Sequence, residues 1–207
     1  MSYKKHIVDV MKRLYNNKFI SIRDGNVSFK PKFQNYFYIS AGSIKKNEIN
    51  EDQIIKVNFG RNDIIYSNRF NYSIDYDKNY KYTPSREINM HSYLQTHPLY
   101  FEKDTFVVHA HPPNIISFIG LENSRELKKI KNIFPEINIG KIGDNVKYHD
   151  AGSDDLALDS FNKLIGNDIV GLERHGSLSI GEDIDVLFEE IETLEYYIDI
   201  KNRSHNN

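Results

Sequence analysis

Ile7, Val10, Met11 and Leu14 recur at three- and four-residue spacing in a polar background, which places them on one stripe of an amphipathic helix ending near the Asn16-Asn17 pair. Short β-type runs follow around Ser21-Ile22 and from Val27 to Phe29, parted by the turn signal Asp24-Gly25-Asn26, and Tyr36 to Ile39 predicts a further strand. Lys45 to Asp52 is polar and predicts a short helix before a strand at Ile54 to Asn58. From Arg61 to Tyr82 the chain is rich in Asn, Asp and Tyr with weak periodicity apart from Ile64-Ile65-Tyr66, and it reads as a long surface excursion.

Thr83-Pro84 sets an N-cap hydroxyl before a proline at the first helical position, so a helix is predicted from Thr83 to about Thr96, ahead of Pro98. Thr105 to Val108 is a buried-strand pattern, Ile115 to Leu121 is helical, and the basic segment Ser124 to Phe134 predicts a second helix in the same connection. Asp154 to Ile165 has helical spacing, Ile169 to Leu172 and Ser177 to Ile180 are strands, and Ile184 to Ile198 closes the chain as an amphipathic helix. Strands and helices are interspersed, which predicts an α/β arrangement with a mixed or antiparallel sheet covered by helices.

The length of 207 residues suits one domain, taken as 1–200, with a short flexible tail at 201–207. A net charge of -2 offers no broad positive field, so neither nucleic acid nor an anionic membrane is expected as a partner. The N-terminus lacks the apolar run of a signal peptide and no stretch of spanning length occurs, so a cytoplasmic location is expected. With no cysteine, any metal site must be built from His, Asp, Glu and water.

That restriction gives weight to His109 and His111, which flank Ala110 at the end of an apolar strand. Residues two apart on a strand point to one side, so both imidazoles face one ion. Two prolines follow and open the strand end to a cleft, while His175 ends another apolar strand and precedes Gly176, where backbone can approach closely. Three neutral imidazoles leave a position open on a zinc-like ion, the catalytic rather than the closed structural arrangement. Glu87, in the first turn of the helix opened by Thr83-Pro84-Ser85, is the candidate acid/base, and Ser85 and Arg86 at that helix start offer an anion site. Gly25-Asn26 and Gly42-Ser43 are turns able to lend donors to the same anion. Each of these features alone has a structural explanation: a hydrogen-bonded histidine, an acid complementing a helix dipole, a glycine in a turn.

Taken in order, Gly25-Asn26-Val27-Ser28, Ile39-Ser40-Ala41-Gly42-Ser43, Pro84-Ser85-Arg86-Glu87, Val108-His109-Ala110-His111 and His175-Gly176 resemble the class II aldolase/adducin family, with Gly152-Ser153 and Gly181-Glu182-Asp183 as further matches. The resemblance implies a three-layer fold whose central, mainly antiparallel sheet is covered by helices, and a homotetramer with active sites between subunits. It implies that His109, His111 and His175 hold zinc, or manganese or another divalent ion. Glu87 would handle the proton, while Gly25, Asn26, Gly42, Ser43, Ser85 and Arg86 bind the substrate phosphate. The implied reaction is cleavage of a small ketose phosphate, of the L-fuculose phosphate kind, to dihydroxyacetone phosphate and an aldehyde through a metal-stabilised enediolate. The alternatives are epimerase, dehydratase or decarboxylase chemistry on a related sugar phosphate or sugar acid, and an adducin-like oligomeric module without catalysis. Arg86 stands where the phosphate-binding aldolases often carry a second serine, Ser40-Ala41-Gly42 is shorter than the usual turn, and the family's catalytic tyrosines have no counterpart that can be placed.

Overall fold

A computed structural model describes residues 2–60, 74–120 and 125–204. The first apolar stripe forms helix α1 (Tyr3–Asn16), burying Ile7, Val8, Val10, Met11 and Leu14. Among the described residues seven strands follow: β1 (Asn26–Lys30), β2 (Tyr36–Ser40), β3 (Ile54–Phe59), β4 (Ile74–Asp75), β5 (Thr105–Ala110), β6 (Ile169–Leu172) and β7 (Gly176–Gly181). They pair in the order β4-β3-β2-β1-β5-β7-β6, and every strand pairing is antiparallel. The remaining helices are α2 (Ile88–Gln95), α3 (Pro113–Ile119), α4 (Ile130–Ile133), α5 (Asp154–Leu164) and α6 (Ile184–Arg203).

The two-residue period of the strands sorts the core into two layers. Val27, Phe29, Phe106 and Val108 belong to one buried cluster with residues of α1, α3 and α6. Their neighbours point the other way: Val107, Val170, Leu178 and Ile180 join Met90 and Leu94 of α2 and Leu156 and Phe161 of α5. The sheet is therefore the middle of three layers, as expected. Each fully buried large apolar side chain contributes about 1.5–3 kcal/mol. Phe29 adds ring contacts, its centroid 4.1 Å from that of Tyr3 and 4.4 Å from that of Phe106.

Several local expectations give way to longer-range pairing. Pro84 bridges Ala41 and the Gly42 N–H bonds to the Thr83 carbonyl at 3.0 Å, so α2 starts at Ile88 rather than Thr83. Ser21-Ile22 forms no strand, the chain bending at Ile22-Arg23, and Lys45 to Asp52 splits into two 3-10 turns, the second closed by an Asn50/Gln53 capping box. The predicted helix over Ser124 to Phe134 is a 3-10 turn plus the single turn of α4, with Ser124 outside the described residues. Asn145 holds that turn from outside, accepting from Leu127 N–H at 3.0 Å and donating to the Arg125 carbonyl at 2.8 Å. Ile64-Ile65-Tyr66 and Leu121 also lie outside the described residues, while the excursion's end adds the edge strand β4. Helix α6 continues to Arg203, with Lys201 and Arg203 in its last turn complementing the negative end of the helix dipole. No helix among the described residues is long and apolar enough to cross a membrane.

Candidate functional site

Strand pairing assembles the three histidines. His109 pairs with Asn26 of β1 on one side and Leu178 of β7 on the other, and His111 lies just past the end of β5 on the same side as His109. His175 sits in the tight turn between β6 and β7, where Arg174 adopts a φ of 59°. That turn closes on β5 because residue 176 is glycine: a Cβ there would lie 2.1 Å from the Ala110 carbonyl oxygen. The ring centroids of His109, His111 and His175 are 4.7, 4.8 and 5.0 Å apart pairwise, and their ligating nitrogens fall within 4.8 Å of one another.

Contacts on the far side of the His109 and His111 rings set which nitrogen faces the centre. His109, 0% exposed, donates Nδ1–H to the Ser177 carbonyl at 2.9 Å, so Nε2 presents its lone pair. Burial pushes this imidazole down to about 3, and it is neutral at physiological pH. His111 has Nδ1 3.3 Å from Asp24 Oδ2 and Nε2 2.8 Å from His109 Nε2. The bond from His111 holds the Asp24 carboxyl well below the usual carboxylate range.

Glu87 completes the cluster from the opposite wall. It occupies the N-cap position of α2 rather than the helical first turn, with Oε2 3.3 Å from His109 Nε2 and Oε1 3.1 Å from His175 Nε2. Burial pushes its carboxyl up, but the neighbouring His109 and His175 rings and the amide of Asn26 hold it further down, so the carboxylate is the stable form. The His109 lone pair and the Glu87 oxygen are then two acceptors facing each other, and Oε1 makes no well-formed hydrogen bond. A cation bound at this cluster would relieve that repulsion. Three imidazole nitrogens without a thiolate suit zinc, manganese or a similar divalent ion, so the donor set fits a metal centre.

Behind Glu87 runs a buried polar chain. Asn26 donates Nδ2–H to Glu87 Oε2 at 2.8 Å and to Ser85 Oγ at 3.1 Å. Its carbonyl oxygen accepts from Nε2 of His91, whose Nδ1 lies 2.7 Å from Ser28 Oγ, and Gln95 Nε2 donates to the same hydroxyl at 2.8 Å. Because Asn26 Oδ1 can only accept, His91 must carry its hydrogen on Nε2, and the amide nitrogen of Asn26 is thereby turned toward Glu87. Burial pushes His91 down to about 4, consistent with a neutral ring.

A cavity of about 370 Å³ opens beside the cluster, lined by Asn26, Gly42, Ser43, Ser85, Arg86 and Glu87 together with Arg23, Asp24, Lys46 and His175. All ten positions singled out in the sequence thus converge, although two pairs of them reach the site differently from expectation. Gly25, at φ 67°, makes the turn that delivers Asn26, and Asn26 acts through its side-chain amide. Ser85 and Arg86 precede the helix, and the nearby N–H groups of Glu87 and Ile88 are taken up by Ser85 Oγ and the Ser85 carbonyl at 3.3 and 3.1 Å, so these two donors are already spent within the chain. Gly42 is needed for close approach, since a Cβ would meet the Pro84 carbonyl at 3.0 Å.

The profile of the family described as Class II Aldolase and Adducin N-terminal domain matches residues 5–201. The chain belongs to the class II aldolase/adducin family. Within it, the chain is 28% identical over 195 residues to the L-fuculose phosphate aldolase of Methanocaldococcus jannaschii, covering 93% of this chain and 91% of that protein. It is 27% identical over 192 residues to the protein of the same name from Methanococcus maripaludis strain S2, with coverage of 91% and 89%. The fold matches that of a sugar-phosphate aldolase from Thermotoga maritima with a TM-score of 0.73 at 22% identity, over 98% of this chain and 94% of that one.

Three residues of this class II aldolase-type site escape a reading of the sequence. His91 carried a signal in its position four residues after Glu87, one helical turn on. Asp24 was visible only as a turn residue, and Lys46 only as part of a polar segment. Both are recruited by packing between distant segments.

Proposed function

We propose that the chain is a metal-dependent carbon–carbon lyase that cleaves a small ketose phosphate, of the L-fuculose phosphate kind, to dihydroxyacetone phosphate and an aldehyde. The observation that carries this reading is the convergence of three imidazole nitrogens and one carboxylate on a cavity whose other wall is formed by the Gly42-Ser43 and Ser85-Arg86 turns. The relatives named L-fuculose phosphate aldolase support it over nine-tenths of the chain.

Cleavage breaks the bond between the carbon beside the ketone and the next, hydroxyl-bearing carbon. The electron pair stays on the former, and the latter becomes the aldehyde as its hydroxyl gives up a proton to solvent, which resupplies the proton that carbon takes up. Glu87 exchanges a proton with the carbon beside the ketone, taking it in condensation and returning it after cleavage. Asn26 fixes Glu87 Oε2 and leaves Oε1 without a well-formed hydrogen bond, available to the substrate. His109, His111 and His175 would hold a divalent ion, which supplies Lewis-acid stabilisation of negative charge on substrate oxygens. Gly25, Asn26, Gly42, Ser43, Ser85 and Arg86 border the space assigned to the phosphate, and a homotetramer with active sites between subunits belongs to the same reading.

The test is a mass-spectrometric product screen over ketose phosphates and sugar acids, with zinc- or manganese-loaded protein and metal-depleted protein as the blank. Dihydroxyacetone phosphate should appear from at least one ketose phosphate in the loaded sample alone. Release from none of them overturns the aldolase reading; epimers or decarboxylated products in its place would assign the site to a different reaction.

A further inference from the structure

We propose that Lys46 is the buried cation by which this site reads a phosphate group on its substrate. The inference rests on the sugar-phosphate reading above and adds to it a residue that stands outside every motif of the resemblance. Two lysines of the described chain are almost completely buried, Lys30 at 0% and Lys46 at 1% exposure. Removing an ammonium from water is costly unless its hydrogens find acceptors. Lys30 lies at the other end of β1 from Asn26 and meets that need within the protein, donating to the carbonyls of Lys103 at 3.1 Å and Phe101 at 3.4 Å.

Lys46 does not. Among the described residues its Nζ makes one hydrogen bond, to the Ala41 carbonyl at 2.9 Å, and it lines the cavity that also holds Glu87 and His175. An ammonium has three N–H donors, so two are left for a ligand. Burial pushes Lys46 down to about 8, and the negative charges of Asp24 and Glu87 oppose that shift, so the group is still largely protonated at neutral pH. Its backbone is held too: the Lys46 N–H bonds to the Ile22 carbonyl at 2.8 Å at the start of the 3-10 turn Lys46–Glu48.

The other cations around the cavity are placed differently. Arg23 is exposed and spends a guanidinium hydrogen on the Ser43 carbonyl at 2.8 Å, fixing a turn in which Ser43 has a φ of 56°; Arg86 is exposed at the rim. Ser85 Oγ accepts from Asn26 and from the Glu87 N–H, which leaves its own hydrogen to donate outward. Donors therefore come from separate segments, Lys46 from one side and Ser85 with Arg86 from another. A tetrahedral phosphate, with acceptor oxygens in several directions, fits that surround better than a planar carboxylate, which one arginine fork satisfies.

The experiment titrates inorganic phosphate, and acetate in parallel, into metal-loaded parent, Lys46→Met and Lys45→Met by calorimetry, with metal content measured in each. Lys45 is the exposed neighbour, paired with Glu48 at 3.5 Å, and serves as the charge-loss control. Lys46→Met should bind phosphate at least tenfold more weakly than the parent, with acetate binding changed less than twofold and Lys45→Met unchanged. Equal phosphate affinity in Lys46→Met and parent, equal losses for phosphate and acetate, or no phosphate binding by the parent overturns the proposal. Should Lys46→Met fail to fold, the parent labelled with 13C at lysine Cε gives the same answer by NMR: one lysine resonance moves on adding phosphate, and none moving overturns it. Failure of the lyase reading looks different, since Lys46-dependent phosphate binding without release of triose phosphate would leave this inference standing.

Discussion

Strand β1 has all five residues buried, yet its two faces have opposite chemistry. Val27 and Phe29 point into the layer of α1, α3 and α6, and their contribution is apolar area and close packing. Asn26 and Ser28 point toward α2 and spend their polar groups on His91, Gln95, Ser85 and Glu87. Buried polar groups at best roughly recover their desolvation through hydrogen bonds, so an apolar strand face would hold the sheet at least as well. The polar face is kept for what it orients. One strand thus separates holding the fold together from aiming Glu87, and that separation can be broken from either side.

The largest effects are expected at the polar end. His109→Ala should abolish both metal binding and turnover, read by metal analysis of protein purified without chelator and by the rate of product release. Glu87→Gln should keep the metal and lower kcat about 10³-fold, which corresponds to about 4 kcal/mol of barrier, because the amide can still accept from Asn26 but can no longer exchange a proton. Equal turnover in Glu87→Gln and parent would remove Glu87 from the chemistry and with it the functional meaning of the polar face.

The apolar face should respond in the opposite sense. Phe29→Ala removes a ring that is 0% exposed, stacked on Tyr3 and tilted against Phe106, and should lower unfolding stability by about 3–4 kcal/mol in denaturant titrations. At a temperature where the variant remains folded, its kcat should stay within about twofold of the parent. A fall in kcat as large as that of Glu87→Gln would mean that the two faces are mechanically coupled and that their separation is only geometric.

How much of this division was legible in the sequence follows from the range of the contacts involved. His109 and His111 were legible because a strand's period of two is local, and the covering helices were legible from stripes such as Ile7, Val10, Met11 and Leu14. Glu87 was found through the order of motifs even though its helix was predicted to start five residues early. The N-cap chemistry of Thr83-Pro84 lost to a bridge between Pro84 and Ala41, a contact that local propensity does not see. The polar relay was out of reach for the same reason: His91 meets Ser28 and Asn26 across 63 and 65 residues of sequence. Lys46 was visible only as part of a polar segment, because its burial comes from a cavity wall assembled out of several segments.

The smallest of these expected effects concerns that relay and reads out as stability against pH. His91 is 0% exposed and neutral in the folded chain, its value depressed from about 6.5 to about 4 chiefly by burial. Between those values the unfolded chain binds a proton that the native chain refuses, so stability is complete above about pH 6.5 and falls as the pH drops toward 4. The full loss is on the order of 3 kcal/mol for a shift of that size. His109 adds a loss of the same sign at still lower pH, its value standing at about 3, and a metal ion bound there would postpone it. The contribution of His91 is isolated by comparing metal-loaded parent with His91→Gln, which can still donate to Asn26 but cannot titrate. The variant should be less stable at pH 7.5 and show a shallower fall between pH 6.5 and 4. If the two proteins lose stability in parallel over that window, His91 does not carry the acid sensitivity, and its ring is protonated in the native chain. The hydrogen on both ring nitrogens would then force Ser28 to accept from His91, while Nε2–H would still hold the Asn26 carbonyl oxygen and the amide orientation would be unchanged.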